Sequence, residues 1–246
     1  MATSFSASAR LFFSPVQGLA SLKIRNQIRR GVSVRMMASM PNGSAVNHVV
    51  LFKVRQDLDP SKVSAFVGSL NSLATLDGVL YLTVGPIRRI QGPLPFTHML
   101  LSRYPSKEAL KAYADHPAHL AAVKDYVLPS CDDVMAVDWV CSDPSLNLQS
   151  LGSSLRLAFL KLKEGVDEAV KTQIMHQMGV IHGQLSYGEN FSPQRAKGYS
   201  LASLAALSKH GADAAAHLLE KSEHKNLESE ISIEYVVPPP SSSASL

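Results

Sequence analysis

Two hydrophobic periods alternate along this chain. Residues 46–54 form a run rich in valine, leucine and phenylalanine, and Val63, Phe66, Val67, Leu70, Leu73 and Leu76 then recur at helical spacing behind the cap-like pair Asp59-Pro60. Strand-like runs follow at residues 79–84 and 96–102, separated by a turn region that holds Gly85, Pro86, Gly92 and Pro93. From a Ser106 cap, Ala109, Leu110 and Tyr113 fall on one helical face; Leu120, Val123 and Val127 resume the spacing, and residues 134–140 read as a last strand. The order βαββαβ predicts a ferredoxin-like unit, a four-stranded antiparallel sheet with both helices on one face.

The same order returns further on. Residues 155–162 predict a strand, Val166, Val170, Ile174 and Met178 a helix, residues 184–187 and 198–204 the middle strands, Ala212 to about Ser229 a second helix, and residues 231–237 the closing strand. Leu51-Phe52-Lys53-Val54 and Phe159-Leu160-Lys161-Leu162 are alike in type. The strands are apolar on both alternations: Val50, Phe52 and Val54 lie opposite Val49 and Leu51. One face meets helices, so the other needs a second apolar cover. The expected fold is therefore α+β, two tandem ferredoxin-like βαββαβ units packed sheet to sheet as one α+β barrel, with helices outside and a cavity within. The expected divisions are residues 1–44, a leader; 46–141 and 154–237, the two units; and 238–246, a tail.

Charge changes this picture only at the ends. The net charge is +4, but Arg10, Lys23, Arg25, Arg29, Arg30 and Arg35 all precede Met40 with no acidic residue among them, so the remainder is net acidic. That removes the main support for a nucleic-acid partner. The basic, serine-rich start resembles an organelle transit peptide, while the final Ala-Ser-Leu resembles a peroxisomal signal without its usual basic middle residue. The peroxisome is the first expectation and the chloroplast the second. Two cysteines are too few for a disulfide framework, and no apolar run approaches the roughly 18–20 residues that cross a bilayer.

Chemistry gathers in Tyr113-Ala114-Asp115-His116-Pro117-Ala118-His119. Pro117 pushes His116 out of the α region and opens a new helical segment, so Tyr113 closes one segment and His119 stands in the first turn of the next. A break of this kind aims both side chains at one point. A neutral imidazole can take a proton α to a carbonyl while a phenol holds the oxyanion that develops. The same residues also suit plain structural roles, with His119 capping a helix or bonding Asp115 and Tyr113 serving as a core aromatic. By strand alternation His48 shares a face with Val50, Phe52 and Val54, and His98 with Phe96 and Leu100, which points both toward a cavity. In the second unit Arg156 stands in the place of His48 and Tyr199 in that of His98, and the Tyr-x-x-His-x-x-His pattern is missing, so an active pocket belongs to the first unit.

Asn47-His48-Val49-Val50-Leu51-Phe52-Lys53, Phe96-Thr97-His98 and His116-Pro117-Ala118-His119, in this order, resemble the stress-responsive A/B barrel family (dimeric α+β barrel, Dabb), well over residues 46–141 and weakly over 154–237. The whole chain resembles the plant organellar members with two tandem domains. The resemblance implies a barrel built within one chain by pairing of its two units, with a homodimer also open, and a pocket for a small apolar ligand bearing a carbonyl or phenol. Its implied lining is His48, His98, His116, Phe52 and Phe96. A distant likeness to a polyketide cyclase of the family implies, as the alternative, aldol cyclisation with His119 as base and Tyr113 as oxyanion donor. A structural module with a filled barrel is the third reading. No cofactor is firmly implied; some plant members hold a magnesium ion on backbone carbonyls after the first helix, a turn that corresponds to Leu73, Leu76, Asp77 and Val79.

Overall fold

A computed structural model describes residues 45–141, 143, 148, 154–181, 186–207 and 224–238. The expected leader, nearly all of the tail, and most of the helix expected from Ala212 to Ser229 lie outside these residues. The first unit runs β1 (Val46–Val54), α1 (Pro60–Ser72), β2 (Tyr81–Gln91), β3 (His98–Tyr104), α2 (Lys107–Ala114), α3 (Pro117–Ala122) and β4 (Cys131–Val140). Between α3 and β4 the helix widens into a π turn, Val123–Val127, and ends in Leu128–Ser130. The second unit supplies β5 (Ser154–Leu162), α4 (Glu168–Ile181), β6 (Ser186–Glu189), β7 (Leu201–Ala206) and β8 (Leu227–Val236).

The strands form one antiparallel sheet ordered β4-β1-β3-β2-β8-β5-β7-β6, so each unit contributes the same internal order of fourth, first, third and second strand. Two seams join the units. At one, Ile87, Arg89, Ile90 and Gln91 of β2 pair with Tyr235, Glu234, Ile233 and Ser232 of β8. At the other, Trp139 of β4 bridges Asn190, just past β6, and closes the ring. The first seam explains why β2 runs on through Gly85 and Pro86, where a turn was expected. Proline has no N–H for a ladder, and Pro86 sits where β2 leaves β3 for β8. A larger residue at Gly85 would place Cβ 2.9 Å from Pro238. The last strand also starts earlier than expected, at Leu227, so residues 227–229 are strand, not helix.

Alternation decides the layers. On β1, Val49 and Leu51 point into the barrel with Met99, Leu101, Met135, Val137 and Trp139, and meet Leu155, Leu157, Phe159, Ile231 and Ile233 of the second unit. The interior is thus packed with side chains, most of them without exposure to water. Val46, Val50, Phe52 and Val54 point the other way, onto α1, α2 and the π turn. The predicted second apolar cover exists, but the cavity lies on the helical side of the first sheet and not inside the barrel. No described helix is long and apolar enough to cross a membrane.

Trp139 is fully buried at the closing seam, and its indole Nε1 donates to Ser186 Oγ at 2.9 Å. Trp139→Ala should cost roughly 3–5 kcal/mol. Urea unfolding followed by circular dichroism measures this, since the variant removes the chain's one tryptophan.

Candidate functional site

The break predicted at Pro117 is present. Ser106 Oγ accepts the Ala109 N–H and starts α2; α2 ends at Ala114; His116 is extended (φ −67°, ψ 134°), and Pro117 opens α3. This turn brings the rings of Tyr113 and His119 to 4.7 Å, both on the wall of a cavity of about 650 Å³. The cavity lies between the first sheet and the α2–α3–π-turn arch. Val50, Phe52 and Leu100 of the sheet face Leu110, Val123 and Val127 of the arch across it. Its rim includes the exposed Lys111, Asp115 and Leu120. A widened helical turn is a common device beside sites, and here it places Val123 and Val127 on the wall.

Each polar group has a distinct electrostatic setting. His119 Nδ1 lies 2.9 Å from the Ala114 carbonyl, so Nδ1 carries the proton and Nε2 keeps its lone pair. Burial lowers its pKa to about 4, assisted by the neighbouring charges of His48 and Arg195. Burial pushes the Tyr113 phenol up to about 12, so it is a hydrogen-bond donor at neutral pH. Behind it the ring of Tyr104 lies 5.0 Å away. Asp115 pairs with Lys111 one turn back, and His119 instead satisfies the end of α2.

His48 reaches the cavity from β1, with Nδ1 2.5 Å from Oδ1 of Asp138, its register partner on β4. Asp138 is wholly buried, and Arg195 of the second unit pairs with its other oxygen. Burial raises the Asp138 carboxyl, but His48 and Arg195 outweigh it and the net shift is downward. Arg195 and Phe191 both line the cavity, so the second unit completes a pocket that sequence assigned to the first unit alone. Asp138 and Arg195 were missed because their partners lie across β1–β4 pairing and across the closing seam. A signal existed for Asp138: a lone carboxylate between Val137 and Trp139 in an otherwise apolar run.

Of the remaining expected residues, Phe52 lines the cavity with its ring 5.2 Å from that of Phe66. Phe96, His98 and His116 stand apart from the lining. Regular alternation begins only at His98, so Phe96 turns into the barrel interior while His98 packs on Phe66 and contacts Thr97 Oγ1 at 3.0 Å. His116 is exposed and caps α3, its Nδ1 accepting the Ala118 N–H. Leu73, Leu76, Asp77 and Val79 fall in the turn after α1, where the carbonyls of Leu73 and Leu76 each already accept a backbone N–H. That turn lies outside the cavity lining, and among the described residues no three His, Cys, Asp or Glu cluster as metal ligands.

The burial of neutral His119 has a pH signature. The unfolded chain binds its proton near pH 6.5, the folded one only near 4. Stability is full above about pH 6.5 and falls toward pH 4 as unfolding takes up the proton, by roughly 2–3 kcal/mol. Urea midpoints at pH 7 and pH 4.5 should show this loss, and His119→Asn should shrink it.

Comparison with known proteins adds the context. The profile of the stress responsive A/B barrel domain matches residues 46–141. One stress-response A/B barrel domain-containing protein of Arabidopsis thaliana is 42% identical over 242 residues, covering 92% of this chain and 90% of that protein. A second Arabidopsis thaliana protein of the same description is 44% identical over 170 residues, 65% of this chain and 80% of that protein. A Fusobacterium nucleatum structure named for a monooxygenase superposes over 79% of this chain and 92% of its own, with a TM-score of 0.53 and 14% identity, a likeness of fold alone. Profile, identity over most of both chains and the two four-stranded units of matching strand order together place the chain in the stress-responsive A/B barrel family.

Proposed function

We propose that this stress-response A/B barrel protein binds a small, mainly apolar ligand bearing a carbonyl or phenol in the cavity under the α2–α3 arch. The observation that carries the reading is the pairing of a phenol donor, Tyr113, with an imidazole whose Nε2 is a free acceptor, His119, on an otherwise largely apolar wall. The volume of about 650 Å³ falls within the range of small-molecule sites. Tyr113 would donate to the ligand oxygen and His119 would accept from a hydroxyl.

The enzymatic alternative, a cyclase or lyase with His119 as base and Tyr113 as oxyanion donor, rests on the same pair. A conjugate acid near pKa 4 makes His119 a weak base at neutral pH, because general-base catalysis works best when the pKa lies near the working pH. Binding is therefore the first reading and proton abstraction the second. We also propose, on the terminal signals alone, an organellar location, with the peroxisome ahead of the chloroplast.

Calorimetric titration with 4-propylphenol and 4-phenyl-2-butanone tests the binding reading. Saturable binding is expected, weakened about tenfold for both probes by Tyr113→Phe through the loss of one hydrogen bond, and weakened for the phenol but not the ketone by His119→Phe, which removes the acceptor. Absence of binding by either probe would remove the reading. Turnover of a linear poly-β-keto thioester that His119→Ala abolishes would put the enzyme first. For location, deleting Ser245 and Leu246 from a tagged chain should disperse punctate fluorescence; unchanged puncta would exclude a peroxisomal receptor.

A further inference from the structure

The cations around the cavity are unequally used. Lys111 is paired with Asp115, and Arg195 is anchored through Nη2 to Asp138 and, at 3.1 Å, to Ser192 Oγ. Lys107, the first residue of α2, is exposed on the same wall, and its ammonium lies 4.3 Å from the centre of the Phe191 ring. No carboxylate among the described residues is within ion-pair distance of it. Arg195 is only about one-third exposed, and a guanidinium has five donors in a fixed fork. Asp138 and Ser192 hold Nη2, which fixes the position of a guanidinium that lines the cavity. Phe191 and Arg195 stand four residues apart on the segment after β6, so the second unit brings an apolar ring and a fixed cation to the wall that also carries Lys107.

We infer that Lys107 and Arg195 form the recognition end of the cavity for a carboxylate, and that the ligand is an amphipathic monocarboxylate whose hydrocarbon or aromatic body lies against the Val50–Phe52–Leu110 wall. This deepens the binding reading and rests on it. A singly charged head suits the balance of charge, because Asp138 offsets part of Arg195 and Glu108 offsets part of Lys107. The assignment gives Arg195 a role in specificity that crosses the unit boundary: the first unit holds the body of the ligand and the second helps to read its head.

The test compares decanoate, methyl decanoate and 1-decanol by titration calorimetry with the full chain at low salt. Decanoate is expected to bind at least tenfold tighter than either neutral probe, with the advantage shrinking as salt is raised. Lys107→Met and Arg195→Lys should each lower the ratio of decanoate to 1-decanol affinity several-fold. Lys107 is exposed, so its variant keeps the test sound even where Arg195 variants disturb the Asp138 pairing. Equal affinity for acid, ester and alcohol would overturn the carboxylate assignment and leave the apolar pocket standing. Failure of all three to bind would overturn the binding reading and this inference with it.

Discussion

The strands of each unit are apolar on both faces, and this one constraint dictates the rest of the architecture. A four-stranded sheet with helices on one side leaves Val49, Leu51, Met99, Leu101 and Val137 without cover on the other. At about 25 cal/mol for each Å² of apolar surface removed from water, a face of that size cannot stay wet in a marginally stable fold. The second unit presents the matching set, Leu155, Leu157, Phe159, Ile231 and Ile233. Once the two faces close on one another the barrel interior is full. The cavity lies outside the barrel, beneath the helices of the first unit.

Placing the site there makes it depend on a buried charge. Asp138 has no exposure and is held between His48 and Arg195, one from each unit. Such pairs stabilise little on balance, because desolvation consumes most of the attraction, but they penalise every arrangement in which one partner is missing. The corresponding positions of the second unit, Arg156 and Glu234, are also register partners and lie 3.6 Å apart. An ion pair on the helical face is thus a shared feature of both units, while the histidine and its neighbouring Tyr113–His119 turn are confined to the first.

Local signals made much of this legible. Period-two and period-3.6 patterns identified the first unit's strands and helices, and Pro117 marked the turn that joins Tyr113 to His119, since proline acts on its immediate neighbours. What escaped was non-local. The extension of β2 depends on β8, more than a hundred residues away; the fate of Phe96 depends on where regular pairing of β3 begins; and Asp138–Arg195 pairs two residues that share no element. Apolar alternation on both faces revealed that a second cover was needed, but it could not say which of the two layers would hold the empty space.

The two seams of the barrel differ in kind. Between β2 and β8 the join is a backbone ladder, whereas between β4 and the segment after β6 it is mostly side chains: Asn47 and Trp139 both donate to Ser186, Asn190 accepts the Asp138 N–H, and Lys197 reaches Asp133. A ladder is indifferent to sequence and would join almost any two strands. A clasp of named side chains is a lock with one key. Ser186, Asn190 and Lys197 all come from the second unit, so the clasp is written for a pairing of unlike units.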